Sequence, residues 1–185
     1  MVKNFLLKNE KSPKNIQIKK DVINHFIASG NDTIAELSKE LDLSVPTVTK
    51  FITELKDQGL IDEFGKVHTP GGRHPIVYGL NPTSAYFVGV DMSRHHLYIS
   101  LMDFTGNIVD HQMGIPYTYE NTPESLDLLC DHIQNFIDKT RDYKKRIYNI
   151  NLNIPGRVNP ESGYSYSSFY FNGLPLAETL PKKLG

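Results

Sequence analysis

The 185-residue sequence predicts two units: an α+β unit of three helices and a β-hairpin over residues 1–82, followed by an α/β unit over residues 83–185. Two observations indicate this organisation. Apolar residues recur at helical spacing in three consecutive segments before residue 60, whereas short strand-like segments and one long helix follow residue 85. The dipeptide Asn81-Pro82 is typical of a turn, and we interpret it as a hinge between the units.

The composition is that of an ordinary globular protein, with 39% hydrophobic residues, 22% charged residues and a net charge of −1. No apolar run approaches the roughly 18 residues that cross a bilayer, and the N-terminus lacks the apolar core of a signal peptide. We therefore expect a cytoplasmic chain that does not associate with membranes. Residues 1–20 carry six lysines against one acid, Glu10, so this arm is either a solvated tail or an electrostatic contact to phosphates.

Cys130 is the only cysteine, which excludes an internal disulfide and a zinc site built from several thiolates. It lies in an apolar run of a predicted helix, so we expect a buried small hydrophobe rather than a reactive thiol. His95 and His96 are adjacent on a predicted strand, where side chains point to opposite faces and chelate poorly together. We expect neither a metal site nor a cofactor.

The first two predicted helices carry their own boundary signals. The first ends at Gly30 and has apolar residues at helical spacing, namely Ile16, Ile18, Val22, Ile23, Phe26 and Ile27. The second begins at Thr33, where the sequence Thr-Ile-Ala-Glu is a capping-box pattern that pairs Thr33 with Glu36. This short helix is expected to run to about Leu41.

The third predicted helix is capped by Ser44, ends before Gly59 and turns an inner stripe of Val48, Phe51, Ile52 and Leu55 toward the core. A short helix, a tight turn and a second helix with small polar outer residues are typical of a helix-turn-helix, whose second helix fits the major groove. We predict that its outer side chains bind base edges and phosphates. These candidates are Ser44, Pro46, Thr47, Lys50 and Thr53, with Thr49 at the margin of the same face.

A β-hairpin with a long tip is predicted next. Residues 60–63 are strand-like, residues 64–66 are expected to turn, and residues 76–80 form the second strand. Arg73 and His74 lie in the glycine-rich tip, and arginine in such a tip suits a narrow minor groove. We predict that both side chains contact DNA and that Arg73→Ala weakens specific binding. The alternative is a solvent-exposed hairpin on a unit that mediates only protein contacts.

The second unit is predicted to contain strands at residues 86–91, 97–103, 108–115 and 147–154, with an amphipathic helix at residues 121–140. Three antiparallel strands, a helix and a further strand make the beginning of an α/β domain. We therefore expect a chain that stops partway through a larger domain.

Several motifs, taken in order, resemble the ROK family (repressor, open reading frame, kinase). Residues 44–50, 59–61, 72–75 and 80–82 resemble the N-terminal winged helix-turn-helix domain of ROK repressors. Residues 89–91, 103–108, 154–163 and 174–176 resemble the opening of the ROK domain, including its Pro-Gly turn at Pro155-Gly156. The order of these motifs carries the resemblance more than any single one does.

The resemblance implies an actin-like, ribonuclease-H-like ROK lobe after the DNA-binding domain, and here that lobe is expected to be incomplete. It also implies a sequence-specific repressor of carbohydrate-metabolism genes that binds a double-stranded DNA operator. A sugar or sugar phosphate would control the full-length protein, and a homodimer or homotetramer would bind a palindromic operator.

The main alternative is a ROK-type sugar kinase with an N-terminal extension. A phosphate-binding turn requires small residues after the strand aspartate, because the backbone must approach the phosphates closely. Asp91 is instead followed by Met-Ser-Arg-His-His, without a glycine. We therefore expect no enzymatic activity and assign no catalytic residue; the family's catalytic aspartate, sugar-binding histidine motif and zinc motif would all lie beyond Gly185.

A third interpretation is a regulator whose α/β segment serves only for dimerisation. An aromatic cluster could support such an interface, or it could belong to the core or to a sugar cleft. Its members are Tyr164, Tyr166, Phe169, Tyr170 and Phe171.

Overall fold

The computed structural model describes residues 12–67, 74–170, 173 and 175–184. The chain divides into two compact units, one of residues 1–85 with 103–107 and the other of residues 86–102 with 108–185. Within the described residues, no helix is both long enough and apolar enough to cross a membrane.

Three helices make up most of the first unit: α1 (Pro13–Ser29), α2 (Ile34–Glu40) and α3 (Val45–Asp57). Each begins after a hydroxyl residue whose side-chain oxygen accepts an N–H from the first turn, namely Ser12, Thr33 and Ser44. At α2 the cap differs from the predicted box, because the Thr33 N–H donates to Asp32 Oδ1 at 2.7 Å. Gly30 ends α1 as expected, with a φ of 79°.

A three-stranded antiparallel sheet completes this unit, with β1 (Asp32–Thr33), β2 (Ile61–Lys66) and β3 (Ile76–Leu80) in the order β1-β3-β2. The predicted turn at residues 64–66 is wrong, because β2 continues through it. The register shifts between Glu63 and Lys66 and Gly65 has a φ of 101°, so the glycine forms a β-bulge rather than a reversal. Just beyond β2, one more hydrogen bond connects the two arms of the hairpin: the Val67 N–H donates to the Pro75 carbonyl at 3.0 Å.

The core of this unit lies between the helices. All four inner residues predicted for α3 are buried, namely Val48, Phe51, Ile52 and Leu55. In α1 the buried stripe is displaced from the predicted one, since Ile27 is 59% exposed whereas Lys19 is 3% exposed. Lys19 occupies the inner position because it continues the helical spacing of Val22, Ile23 and Phe26.

The second unit is an α/β structure built on a four-stranded sheet. Its strands are β4 (Tyr86–Met92), β5 (His96–Asp103), β6 (Ile108–Pro116) and β7 (Ile147–Asn153), in the order β6-β5-β4-β7. β5 and β6 are antiparallel, whereas β4 and β7 are parallel. The helices are α4 (Pro123–Lys139), α5 (Arg141–Lys144) and α6 (Leu176–Leu184).

The apolar core of the second unit includes one face of its sheet and the inner side of α4, where Leu126, Leu129, Ile133 and Phe136 are buried. Cys130 is 6% exposed in the same cluster, which confirms its expected role as a buried apolar residue. Burial raises the pKa of its thiol to about 11.

The aromatic cluster is divided between core and surface. Phe169 is buried, its ring centroid lies 5.1 Å from that of Tyr119, and its N–H donates to the Tyr119 hydroxyl at 3.3 Å. Tyr166 and Tyr170 are instead about half exposed, at 54% and 47%. Phe171 lies outside the described residues. The described members are therefore divided between core and surface, and their part in an interface stays a prediction.

Candidate nucleic-acid interface

The outer face of α3 carries the side chains expected to contact DNA. Pro46, Lys50 and Thr53 are exposed and lie opposite the buried stripe. Helix α3 is 13 residues long and has a proline in its first turn. A proline costs no helical hydrogen bond there, because the first backbone N–H groups of a helix have no partner within it. The structure thus gives α3 one packed face and one polar face.

The N-terminal end of α3 is organised by a pair of hydroxyl groups. Ser44 Oγ accepts the Thr47 N–H at 3.4 Å and lies 2.8 Å from Thr47 Oγ1. The two hydroxyls share one hydrogen in their mutual bond, so the other hydrogen can donate to an external acceptor. A phosphate oxygen is suited to this position because the helix N-terminus also attracts anions.

Thr49 and Thr53 make a different kind of contact, each to the preceding turn of its own helix. Thr49 Oγ1 donates to the Val45 carbonyl at 2.8 Å, and Thr53 Oγ1 donates to the Thr49 carbonyl at 2.9 Å. Their hydroxyl hydrogens are therefore already used, while their lone pairs and methyl groups stay available. Val45, whose carbonyl accepts from Thr49, has a side chain that is 52% exposed.

The charge of this face depends on a residue of α1. Glu54 Oε2 lies 2.7 Å from the nearly buried Lys19 Nζ, whereas Glu54 Oε1 lies 3.9 Å from Lys50 Nζ. Lys19 is therefore the closer counter-charge of the carboxylate, and the ammonium of Lys50, 59% exposed, is accessible to a polyanion. The Lys50 ammonium also lies 5.3 Å from the Phe51 ring centroid.

The hairpin supplies the second part of the candidate interface. His74 is exposed at its base, whereas Arg73 lies outside the described residues, so its predicted contact stays a prediction. On β2, Glu63 forms an ion pair with Lys56 of α3, and this hydrogen bond raises the pKa of Lys56. The pair joins the end of α3 to the hairpin strand that follows it.

Three residues in or behind this face are not evident from the sequence alone. The residue type of Lys19 indicates exposure, although its spacing from Val22, Ile23 and Phe26 places it on the inner face of α1. The role of Glu54 is not evident locally, because its nearer cation lies on another helix, 35 positions away in sequence. Val45 is overlooked by any search for polar side chains, although its exposure places it on the surface.

In the second unit, Asp91 lies at the end of β4 and its Oδ1 accepts a hydrogen bond from Asn153 Nδ2 at 2.6 Å. The parallel pairing of β4 with β7 brings these two strand ends together. His96 lies on β5, whereas His95 precedes that strand. Among the described residues, no three His, Cys, Asp or Glu side chains are placed to hold a metal ion.

Comparison with known families defines the class of the first unit. Residues 17–62 match the family described as "Winged helix-turn-helix DNA-binding". This range extends from within α1 to the beginning of β2 and contains the whole of α2 and α3. The first unit is a winged helix-turn-helix domain.

The chain is similar to curated proteins that are named as regulators of transcription. It is 29% identical over 128 residues to the xylose repressor of Caldicellulosiruptor bescii, a match that covers 69% of this chain and 32% of that protein. It is 28% identical over 128 residues to the xylose repressor of Bacillus subtilis, covering 69% and 33%. It is 28% identical over 130 residues to the transcriptional dual regulator NagC of Escherichia coli, covering 69% and 31%.

A solved structure extends the likeness into the second unit. A ROK family transcriptional regulator, described as a homologue of the Escherichia coli Mlc protein, is 25% identical, with a TM-score of 0.66 over 92% of this chain and 42% of that one. These comparisons confirm the resemblance to ROK-family repressors and the predicted fold, a winged helix-turn-helix followed by a ROK-like α/β unit. The chain spans about a third of the length of the curated relatives it matches.

Proposed function

We propose that this chain is the DNA-binding part of a ROK-type transcriptional repressor and that the exposed face of α3 reads a specific operator in double-stranded DNA. The observation that carries the proposal is the two-faced α3, with four buried apolar residues behind exposed Pro46, Lys50 and Thr53. A helix with one packed face and one polar face can enter the major groove without unfolding its domain.

The charge arrangement supports the same proposal. Lys19 is the closer partner of Glu54, at 2.7 Å from behind α3, and Lys50 at the front of the helix is 59% exposed. The Ser44 and Thr47 hydroxyls at the N-terminus of α3 can donate one hydrogen to a phosphate. Phosphate contacts would fix the orientation of α3, and contacts to base edges would supply the sequence preference.

Binding to fragments of the genomic neighbourhood of the gene tests this function. The chain is mixed with each labelled duplex at two salt concentrations and with excess nonspecific competitor DNA. The proposal predicts saturable, competitor-resistant binding to one promoter fragment. Equal binding to all fragments that disappears with added salt would reject a sequence-specific regulator, because it would reflect phosphate attraction alone.

Control by a sugar or sugar phosphate is a further part of the proposal. It is supported by the names of the relatives, which are repressors named for xylose and N-acetylglucosamine. The test uses the full-length protein bound to its promoter fragment and adds both sugars and their phosphates in turn. At least one addition should change the DNA affinity at least tenfold; an unchanged affinity across all of them counts against this control.

We expect the full-length repressor to bind as a homodimer or homotetramer, since symmetric oligomers match palindromic operators. Tyr166 and Tyr170 are exposed and available to an interface, whereas Phe169 is buried. Measurement of the solution mass with and without operator DNA tests this expectation. A monomer that binds a single half-site would contradict it.

A kinase activity is disfavoured by the turn after Asp91. Ser93 N–H donates to the His96 carbonyl at 2.9 Å, and His96 N–H donates to Ser93 Oγ at 3.1 Å. These two N–H groups are used within the turn itself, so they are not directed at a nucleotide phosphate. We propose that the protein is not an enzyme, and phosphate transfer from ATP to a sugar by the full-length protein would overturn this.

A further inference from the structure

Three residues of α3 form a continuous row on its surface, which we call the methyl row: Val45, Thr49 and Thr53. They are spaced four residues apart, so they lie above one another on successive turns. All three are exposed. The Thr49 hydroxyl donates to the Val45 carbonyl, and the Thr53 hydroxyl donates to the Thr49 carbonyl.

These hydrogen bonds determine what the row offers to a ligand. A threonine hydroxyl has one hydrogen, and in both threonines it is donated to the helix backbone. The same bond fixes the side-chain torsion, so each γ-methyl group is held in one orientation. Val45 adds two further methyl groups and no polar atom. The row therefore presents methyl groups and oxygen lone pairs, and it has no free hydrogen-bond donor.

The major groove contains one base pair that complements such a surface. Thymine carries the only methyl group among the four bases, and its partner adenine offers the N6 amino group as a donor. Guanine offers two acceptors, N7 and O6, which need a donor from the protein. A row without donors can satisfy neither of them. It can accept from the amino group of adenine or of cytosine, but only an A·T pair adds a methyl group for it to pack against.

We propose, on the basis of the proposed DNA-binding function, that the methyl row selects A·T base pairs by packing against thymine methyl groups. Lys50 and the Ser44–Thr47 pair then serve the phosphates and other base edges, because they retain donors. Loss of one buried methyl contact corresponds to about a fourfold loss of affinity. The operator half-site is accordingly expected to contain at least one A·T pair opposite α3.

The test begins with the whole chain and a pool of random duplexes, from which bound sequences are selected. Each thymine of the selected sequence is then replaced by deoxyuridine, which lacks only the 5-methyl group. The wild-type chain should lose about fourfold affinity at one or more thymines of the selected motif. Thymines outside the motif serve as the internal control and should tolerate the replacement.

Matched variants assign the effect to the row. Thr49→Ser and Thr53→Ser keep the hydroxyl and remove the γ-methyl, so at least one of them should abolish the deoxyuridine effect at one position. Thr49→Val and Thr53→Val keep the methyl and remove the hydroxyl, so both should retain it. Circular dichroism of each variant verifies that the helices are intact.

The outcomes separate this inference from the function on which it rests. If no sequence is enriched, the proposed function fails and the inference fails with it. If a motif is enriched but every deoxyuridine replacement is tolerated, the DNA-binding function stands and the methyl row does not read thymine. An unchanged deoxyuridine effect in both serine variants would likewise overturn the assignment to the row.

Discussion

Lys19 Nζ lies 2.7 Å from Glu54 Oε2, and this ion pair joins α1 to α3 from behind the candidate DNA-binding face. The Lys19 side chain is 4% exposed and that of Glu54 is 33% exposed. An ammonium group that is taken out of water requires a close counter-charge, so the pair fixes where α1 and α3 meet. The same carboxylate lies farther from Lys50, whose Nζ is 3.9 Å from Glu54 Oε1.

Replacement of Lys19 by Met tests this relationship. The variant keeps the length of the side chain but leaves the Glu54 carboxylate without its nearest cation. We expect the free energy of unfolding to fall by about 2 kcal/mol, since one partner of the pair is buried and the other is partly solvated. Urea denaturation followed by circular dichroism measures the change.

The double variant with Lys19→Met and Glu54→Gln is the matched control. It removes both charges, so it should recover part of the stability lost in the single variant. A single variant as stable as wild type, or a double variant less stable than the single one, would show that the ion pair does not hold these helices together.

The turn between α2 and α3 contains Asp42 with a φ of 51°, a left-handed conformation that glycine adopts more readily. Asp42→Gly relieves this strain but makes the unfolded chain more flexible, so its stability should stay within about 0.5 kcal/mol of wild type. Asp42→Val should cost about 2 kcal/mol, because a β-branched residue is strained there. Thermal denaturation of wild type and both variants measures these changes. A valine variant as stable as wild type would show that the backbone of residue 42 is not strained.

Two glycines of positive φ allow strain and steric contact to be separated. A Cβ added at Gly156 would lie 2.2 Å from the Ser167 Cβ, whereas one added at Gly106 would meet no atom within 4 Å. Gly106→Ala should therefore cost about 1 kcal/mol for its backbone conformation alone. Gly156→Ala should cost about 1–3 kcal/mol more, because residues 156 and 167 must separate. Denaturation of both variants measures these losses. Equal losses of stability in Gly106→Ala and Gly156→Ala would show that the close approach to Ser167 does not matter.

Burial of Cys130 gives a pH dependence with a defined sign. Its pKa is raised by burial from 9.0 to about 11, so the native state keeps the proton after the unfolded chain has lost it. The associated stability is present below about pH 9 and is lost as the pH rises toward 11. Between these pH values, the free energy of unfolding should fall more steeply with pH for wild type than for Cys130→Ala. The same pH dependence in both proteins would contradict the raised pKa of Cys130.

Much of the first unit follows from local sequence signals. Thr33 and Ser44 were recognisable as helix caps because their side chains bind backbone groups only three residues away. The inner residues of α3 were recognisable because their spacing alone determines a shared face. The outward face of α3 then followed by exclusion, without knowledge of the tertiary fold.

The errors occur where partners distant in sequence decide the structure. Gly65 forms a bulge rather than a turn because β3 pairs on both sides of it, and this pairing cannot be read from residues 61–66 alone. Strand β1 is only two residues long and exists because β3 is available to pair with it. Likewise, Lys19 is tolerated in the buried stripe of α1 because Glu54 supplies a counter-charge from α3.

Lys50→Gln tests most directly whether the outer face of α3 binds DNA. The change removes one charge from this face, and Lys139→Gln, at an exposed position of α4, is the matched control. Affinity for the promoter fragment is measured over a range of salt concentrations. We predict that Lys50→Gln binds more weakly and lowers the salt slope by about 1, while the control leaves both unchanged. Equal affinities and slopes for wild type and both variants would contradict the claim.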